Sequence, residues 1–135
     1  MLTLYREDLE KHKKGSPCHI AQMTFYVARI GTKESISEFK EIREKLYGIF
    51  PKSGEINENK VFANWLAYYG VVGWENVTDD ENDEPMEYTK DSCRQLFLTE
   101  SYWLSLNQAL ITHATNFECY LHDQAYDDVE KLKKK

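Results

Sequence analysis

Cysteine is scarce in this chain of 135 residues: only Cys18, Cys93 and Cys119 occur, far apart in sequence. An odd number without a close pair is not a disulfide framework, and free buried thiols in a reducing compartment are expected. Glycine and proline are few, and no glycine run has the Gly-x-Gly-x-x-Gly or phosphate-loop spacing. No apolar stretch approaches the roughly 20 residues of a membrane helix. The opening Met1-Leu2-Thr3-Leu4-Tyr5-Arg6-Glu7 lacks a signal-peptide core. A soluble, intracellular protein is the expectation, and the Asn76-Val77-Thr78 glycosylation triplet then carries no weight. Basic charge is also short: 17 Lys and Arg against 23 Asp and Glu leave a net charge of -6. That argues against nucleic-acid phosphates or an anionic membrane as the main partner, and leaves room for a basic protein.

Aromatic residues are plentiful, with nine tyrosines, six phenylalanines and three tryptophans. They serve both cores and protein interfaces. A chain of this length is one domain, residues 1–135, because about 100–150 residues bury a full core. Residues 1–14 are polar and read as a short helix or a flexible arm. After Gly15-Ser16-Pro17, the β-branched and aromatic run Met23–Ile30 predicts a small N-terminal β-hairpin over about 16–30. Ser35-Ile36-Ser37-Glu38 fits a capping box. Ile36, Phe39, Ile42, Leu46 and Ile49 then predict an amphipathic helix over about 35–50, ended by Pro51 and Gly54.

Asn57 or Asn59 can cap the next helix, which carries Val61, Trp65, Tyr68 and Val72 on one face and frays at Gly70 and Gly73. An acidic loop follows, with a second small hairpin expected between Trp74–Val77 and Met86–Tyr88. Thr89 can cap a short helix through Cys93, Leu96 and Phe97. Thr99 or Ser101 would cap a long C-terminal helix with the stripe Trp103, Leu106, Leu110, Ala114, Phe117 and Leu121. The tail, 128–135, is charged. The fold class is mainly α (α+β), with about four to five helices.

Little here points to catalysis. Asp79, Glu81 and Asp83 alternate as calcium ligands do, but Glu84 and Lys90 stand where a calcium loop needs Gly and a bidentate Glu. Cys18 and His19 are neighbours, so on a strand they point to opposite faces. Cys119 and His122 share a helical face, and a zinc site would need all four to meet. No glycine-rich turn or oxyanion loop accompanies any cysteine, so no catalytic residue, metal or cofactor is assigned. The strongest binding feature is aromatic. Trp65, Tyr68, Tyr69 and Trp74 fall within ten residues; Trp65 and Tyr68 are expected in the core, Tyr69 or Trp74 at its edge. Phe117 and Tyr120 join them as candidates on the last helix.

Three segments together carry a resemblance: Phe25-Tyr26-Val27-Ala28-Arg29-Ile30-Gly31-Thr32, then Val71-Val72-Gly73-Trp74-Glu75-Asn76-Val77-Thr78-Asp79, then Ala114-Thr115-Asn116-Phe117-Glu118-Cys119-Tyr120. Their order is similar to tail assembly chaperones of long-tailed bacteriophages and prophages, a mostly helical family. The sequence departs from the family pattern at Asn76, where Gly is frequent, and in lacking Gly after Asp79.

The resemblance implies a non-enzymatic binding protein of the bacterial host cytoplasm, absent from the mature virion. It would coat and solubilise the tape-measure protein and help recruit tail tube subunits. Self-association is compatible with such a role; nucleic acid and membrane are not expected partners. The lysine-rich end is compatible with a programmed frameshift into a longer form. Two other classes stay open: a structural head–tail connector or minor tail protein, and a small metal-dependent or Cys/His enzyme.

Overall fold

Alternation of buried and exposed residues marks the first strand. β1 (Ser16–Ile20) buries Ser16 and Cys18 and turns Pro17 and His19 outward. β2 (Met23–Val27) buries Thr24, Phe25 and Val27. The two pair antiparallel across Ala21-Gln22, with Ala21 at φ 53, a left-handed turn conformation that matches strand twist. The computed structural model describes residues 7–78, 84–98 and 104–121. Among them are five α-helices and one three-stranded antiparallel sheet, a mixed α+β fold.

β2 stops at Val27 because the next three amides bond to three different elements. Ala28 N–H donates to Gly70 O (2.7 Å), Arg29 N–H to His12 O (3.1 Å) and Ile30 N–H to Ala114 O (3.0 Å). The segment 28–30 is thus a junction rather than a strand end. His12 belongs to α1 (Leu9–Lys14), a short helix capped by Asp8.

α2 (Lys33–Tyr47) begins earlier than the Ser35 capping box predicts. Thr32 is the cap and accepts from Ser35 N–H at 3.0 Å; buried Ser35 accepts from Gly31 N–H and donates back to Thr32 O. The core stripe becomes Ser35, Phe39 and Ile42, with Leu46 half-buried, and leaves Ile36 64% exposed. Gly48, at φ 79, ends the helix before Pro51, so Ile49 lies outside it.

Asn57 caps α3 (Glu58–Trp65) through Asn59 and Lys60 N–H. A π turn, Leu66–Gly70, follows, with Val71 N–H bonding back to Leu66 O. The chain then enters β3 (Val71–Glu75) without a loop, and Val71 and Val72 are strand rather than helix. β3 pairs antiparallel with β2, Phe25 opposite Trp74. The hairpin predicted for Trp74–Val77 is therefore secondary. It is reduced to a bridge between Thr78 and Pro85 and the bond from Met86 N–H to Val77 O; its tip, 79–83, lies outside the described residues. Asn76 takes φ 60, a conformation that Asn tolerates better than other non-glycine residues.

Thr89 and Ser92 cap α4 (Lys90–Leu98) reciprocally, each side chain accepting from the other's N–H. α5 (Leu104–Thr115) is shorter than the predicted last helix, and α2 is the longest described. Asn116 breaks it and caps a 3₁₀ turn, Phe117–Tyr120, because its side chain accepts from Glu118 N–H. Phe117 and Leu121 consequently leave the predicted stripe; the buried α5 residues are Asn107, Leu110 and Ala114. Trp103, the proposed caps Thr99 and Ser101, and the tail lie outside the described residues.

The core joins Phe25, Val27, Phe39, Val61, Trp65, Leu66, Val71, Trp74, Cys93, Phe97 and Leu110. Gly70 is tied to it by contact. A Cβ there would fall 2.6 Å from Trp65 Cε3, and the buried indole has no room to retreat. Gly70→Ala should therefore lower stability by about 1–3 kcal/mol, read as the urea midpoint. An unchanged midpoint would mean that the contact is not a constraint. Asn107 is buried with both amide atoms unpaired among the described residues. Asn107→Leu should raise the midpoint, since a buried orphan amide costs about 1–3 kcal/mol; a fall would show that the amide is satisfied in solution.

Candidate functional site

The six aromatic candidates separate into core and surface. Trp65 is fully buried, stacks on Phe39 at 5.1 Å and 15°, and donates its indole N–H to Glu38 (3.1 Å). Trp74 is also core: its N–H donates to Met86 O at 2.7 Å, and Phe25 and Tyr88 meet it edge-on. Tyr120 is fully buried, its hydroxyl donating to Val27 O (2.8 Å), with Ala28 O at 3.1 Å. None of these three offers a contact surface. Tyr68 does, at 50% exposure, and Tyr69 is half-buried. The expectation is thereby reversed at Tyr68, and of Tyr69 and Trp74 it is Tyr69 that lies at the edge. The wide π turn changes the angle between successive side chains. Tyr68, three residues after Trp65, no longer shares its face, and Trp74 is carried into the sheet.

Tyr68 and Tyr69 line a groove of about 250 Å³ with Ile42, Leu46, Asn64, Glu41 and Lys45. The guanidinium of Arg94 lies 4.7 Å from the Tyr68 ring centroid, a cation–π contact that holds the ring in place. Burial and the neighbouring Glu41 carboxylate raise the Tyr69 pKa, so its hydroxyl stays protonated. Glu41 also pairs with Lys45 at 3.0 Å on the exposed rim. An apolar floor with a mixed-charge rim suits the apolar side chains of a helix laid across it. Phe117 is 39% exposed on the 3₁₀ turn, which packs against α1, β1 and α5 and takes no part in this groove.

A polar knot that the sequence pattern does not reveal lies around Tyr120. Glu7 accepts from Arg29 Nε (2.8 Å) and His12 Nε2 (3.0 Å). Arg29 also reaches Ala114 O and lies 5.5 Å from the Tyr120 ring centroid. Asp8 N–H donates to Tyr120 O and Lys11 Nζ to Leu121 O, both at 2.7 Å. Burial opposes the Glu7 charge, but the bonds from Arg29 and His12 outweigh it and hold its pKa below the usual value. Apart from Glu7 and His12, five residues apart, these side-chain partners are 22 to 110 residues apart in sequence. Beside the knot, a concavity of about 660 Å³ carries both signs of charge, with Lys13, Lys14, Glu34 and Glu38 in its wall.

The cysteines and histidines are placed as follows. Burial pushes the Cys93 pKa up to about 12 and raises those of Cys18 and Cys119. All three are thiols at neutral pH, the poorly nucleophilic form. His19 points away from Cys18 and bonds Thr24 (2.9 Å). Ser16 spends its hydroxyl proton on Cys119 O (2.6 Å), so His113 Nε2, 3.1 Å away, must be the donor to Ser16 Oγ. Among the described residues no group of three or more His, Cys, Asp or Glu is placed to hold a metal, and His122 lies outside them.

A family model described as YdaY prophage protein matches residues 24–131 of the chain. No curated protein and no solved structure matches it.

Two groups should set the acid response. Burial lowers the His113 pKa; the bond to Ser16 opposes it without outweighing it, and His19 adds a smaller lowering. The folded state therefore resists protonation, and stability should fall as pH drops below the unfolded histidine value of about 6.5. The lowered Glu7 pKa stabilises the fold above about pH 4.3 and is lost as pH falls through the folded value. Urea unfolding from pH 8 to 3 should show both declines, with the lower one reduced in Glu7→Gln. A flat profile would contradict the knot. Tyr120→Phe should cost about 1–2 kcal/mol through the unpaired Val27 carbonyl, and a neutral result would remove Tyr120 from the knot.

Proposed function

Since that match spans most of the chain, the chain belongs to the YdaY prophage protein family, and on this premise we propose that it is a tail assembly chaperone. It is a non-catalytic binding protein that coats the tape-measure protein and helps recruit tail tube subunits before the tube polymerises. One observation carries this reading: the exposed Tyr68, clamped by Arg94 over a groove floored by Ile42, Leu46 and Tyr69.

A tape-measure protein is a long helical chain whose apolar stripes aggregate unless covered, and an apolar groove with a polar rim covers such a stripe. Each groove is small, so many copies along one client would gain through multivalency. The net charge of -6 keeps the coated client soluble. The protonated thiols favour binding over nucleophilic catalysis. The place of action is the bacterial host cytoplasm, with no copy retained in the virion.

Co-expression with the tape-measure protein of the same prophage tests the reading, with the tail tube protein as a second bait. The tape-measure protein should be recovered in soluble form only when this chain is present. Tyr68→Ser should weaken its capture by about tenfold or more, as loss of an aromatic anchor does. Capture of neither bait, or full capture by Tyr68→Ser, would overturn the proposal.

A further inference from the structure

Tyr69 lines two concavities at once: the groove of about 250 Å³ and the wider one of about 660 Å³ beside α1. α2 is a wall of both. Glu34 and Glu38 stand in the larger concavity, and Glu41, Ile42, Lys45 and Leu46 in the smaller. At about 3.6 residues per turn, Glu34, Glu38, Glu41 and Lys45 fall within about 60° of one another, with Ile42 and Leu46 beside them. Both Glu38 and Glu41 act electrostatically on the Tyr69 hydroxyl, so Tyr69 sits where the two concavities meet. Together they make one trough along α2. From Glu34 to Leu46 the helix rises about 18 Å, the length of about 12 residues of a second helix.

Most charges in the trough are already paired, and the exceptions set its preference. Arg29 and His12 are held by Glu7, Lys14 by Glu10 (3.5 Å) and Lys45 by Glu41 (3.0 Å). Glu34 and Glu38, one turn apart, have no cation within ion-pair reach among the described residues; Glu38 accepts the indole N–H of Trp65. Burial raises the Glu38 pKa; the Trp65 bond opposes it without outweighing it, and Glu34 and Glu41 raise it further. The α2 wall thus crowds carboxylates that a cation would relieve. On α1, Lys13 is the one lysine or arginine of the trough without an acidic partner among the described residues, so unpaired negative charge is in excess. Leu9, 73% exposed, adds an apolar contact on the α1 wall.

We propose that the trough binds a basic amphipathic helix, its apolar face against Ile42, Leu46 and Tyr68 and its Lys or Arg residues over Glu34 and Glu38. A continuous helical wall with an apolar floor suits a helix laid alongside. The chain's own charge of -6 disfavours a second copy and favours a cationic partner. The inference deepens the chaperone reading and rests on it for the source of the helix. The client segments held here are those whose apolar stripe is flanked by basic residues, not apolar stripes in general.

Two synthetic amphipathic peptides of about 14 residues, with one leucine face in common and flanked by Lys in one and by Glu in the other, probe the full chain without a client. By fluorescence anisotropy the Lys peptide should bind at least about tenfold more tightly, and the advantage should shrink as salt rises. Glu34→Lys should weaken its binding about three- to tenfold, and Lys13→Glu should strengthen it. Both positions are exposed, so neither change enters the core. Glu87→Lys makes the same charge change at an exposed position outside the trough and should have little effect. Binding of neither peptide, equal binding of both, or an equal loss in Glu87→Lys would overturn the proposal. Tiled peptides of the tape-measure protein separate the two readings. If the Lys peptide responds as expected and no tile binds, the trough stands and the chaperone reading falls. If tiles bind without regard to basic residues or to Glu34→Lys, the basic-helix proposal falls and the chaperone reading stands.

Discussion

The indole of Trp65 lies against the bare backbone of Gly70, and the architecture around the sheet depends on that contact. A π turn between the two residues allows the approach, and the turn delivers the chain straight from α3 into β3. The carbonyls at the exit are then used by three separate elements. Gly70 O takes the Ala28 amide, and Val71 O takes the Tyr88 hydroxyl at 2.9 Å. The Cys93 thiol from α4 sits 3.8 Å from Leu66 O and 3.9 Å from Val71 O. Sheet, loop and α4 therefore dock on one irregular turn. The same irregularity turns Tyr68 outward while Trp65 stays inside, so packing and the candidate binding surface have a single cause.

A second region, around Tyr120, is secured by polar bonds rather than by packing alone. Glu7, His12, Arg29 and Tyr120 bring an N-terminal segment, a strand exit and the 3₁₀ turn into one network. Arg29 bonds groups from both ends of the described chain, so its charge is compensated where it is largely screened from water. Such bonds are more sensitive to pH than apolar contacts are. The groove face has only rim charges of both signs, and its floor is apolar. One face is thus locked by polar bonds, and the groove face by apolar packing.

Local signals in the sequence located much of the fold. Asn57 caps α3 and Thr89 caps α4 because short polar side chains satisfy helix-end amides within three residues. The phage or prophage origin was also legible, in the order of three motifs. Ser35 misled because Thr32 offers an equally good cap one turn earlier, and the Ser35 hydroxyl is spent on the backbone of Gly31 and Thr32 behind it instead of on amides ahead. Val71-Val72 continued a helical spacing, yet the π turn and the open edge of β2 make them strand. Asn116 ended the last helix where the apolar period ran on. For the site, the aromatic cluster was visible, but which of its members face water was not. Exposure of Tyr68 depends on the π turn and on Arg94, 26 residues away, and neither leaves a periodic trace.

Hydrogen–deuterium exchange of the chain with and without the proposed client, a tape-measure protein of the same prophage, tests most directly the proposal that the π turn builds a binding groove. Protection should appear at residues 41–46 and 64–69, with little change over the 3₁₀ turn at 117–120. Protection confined to the 3₁₀ turn, or none in the groove at saturating client, would contradict the account.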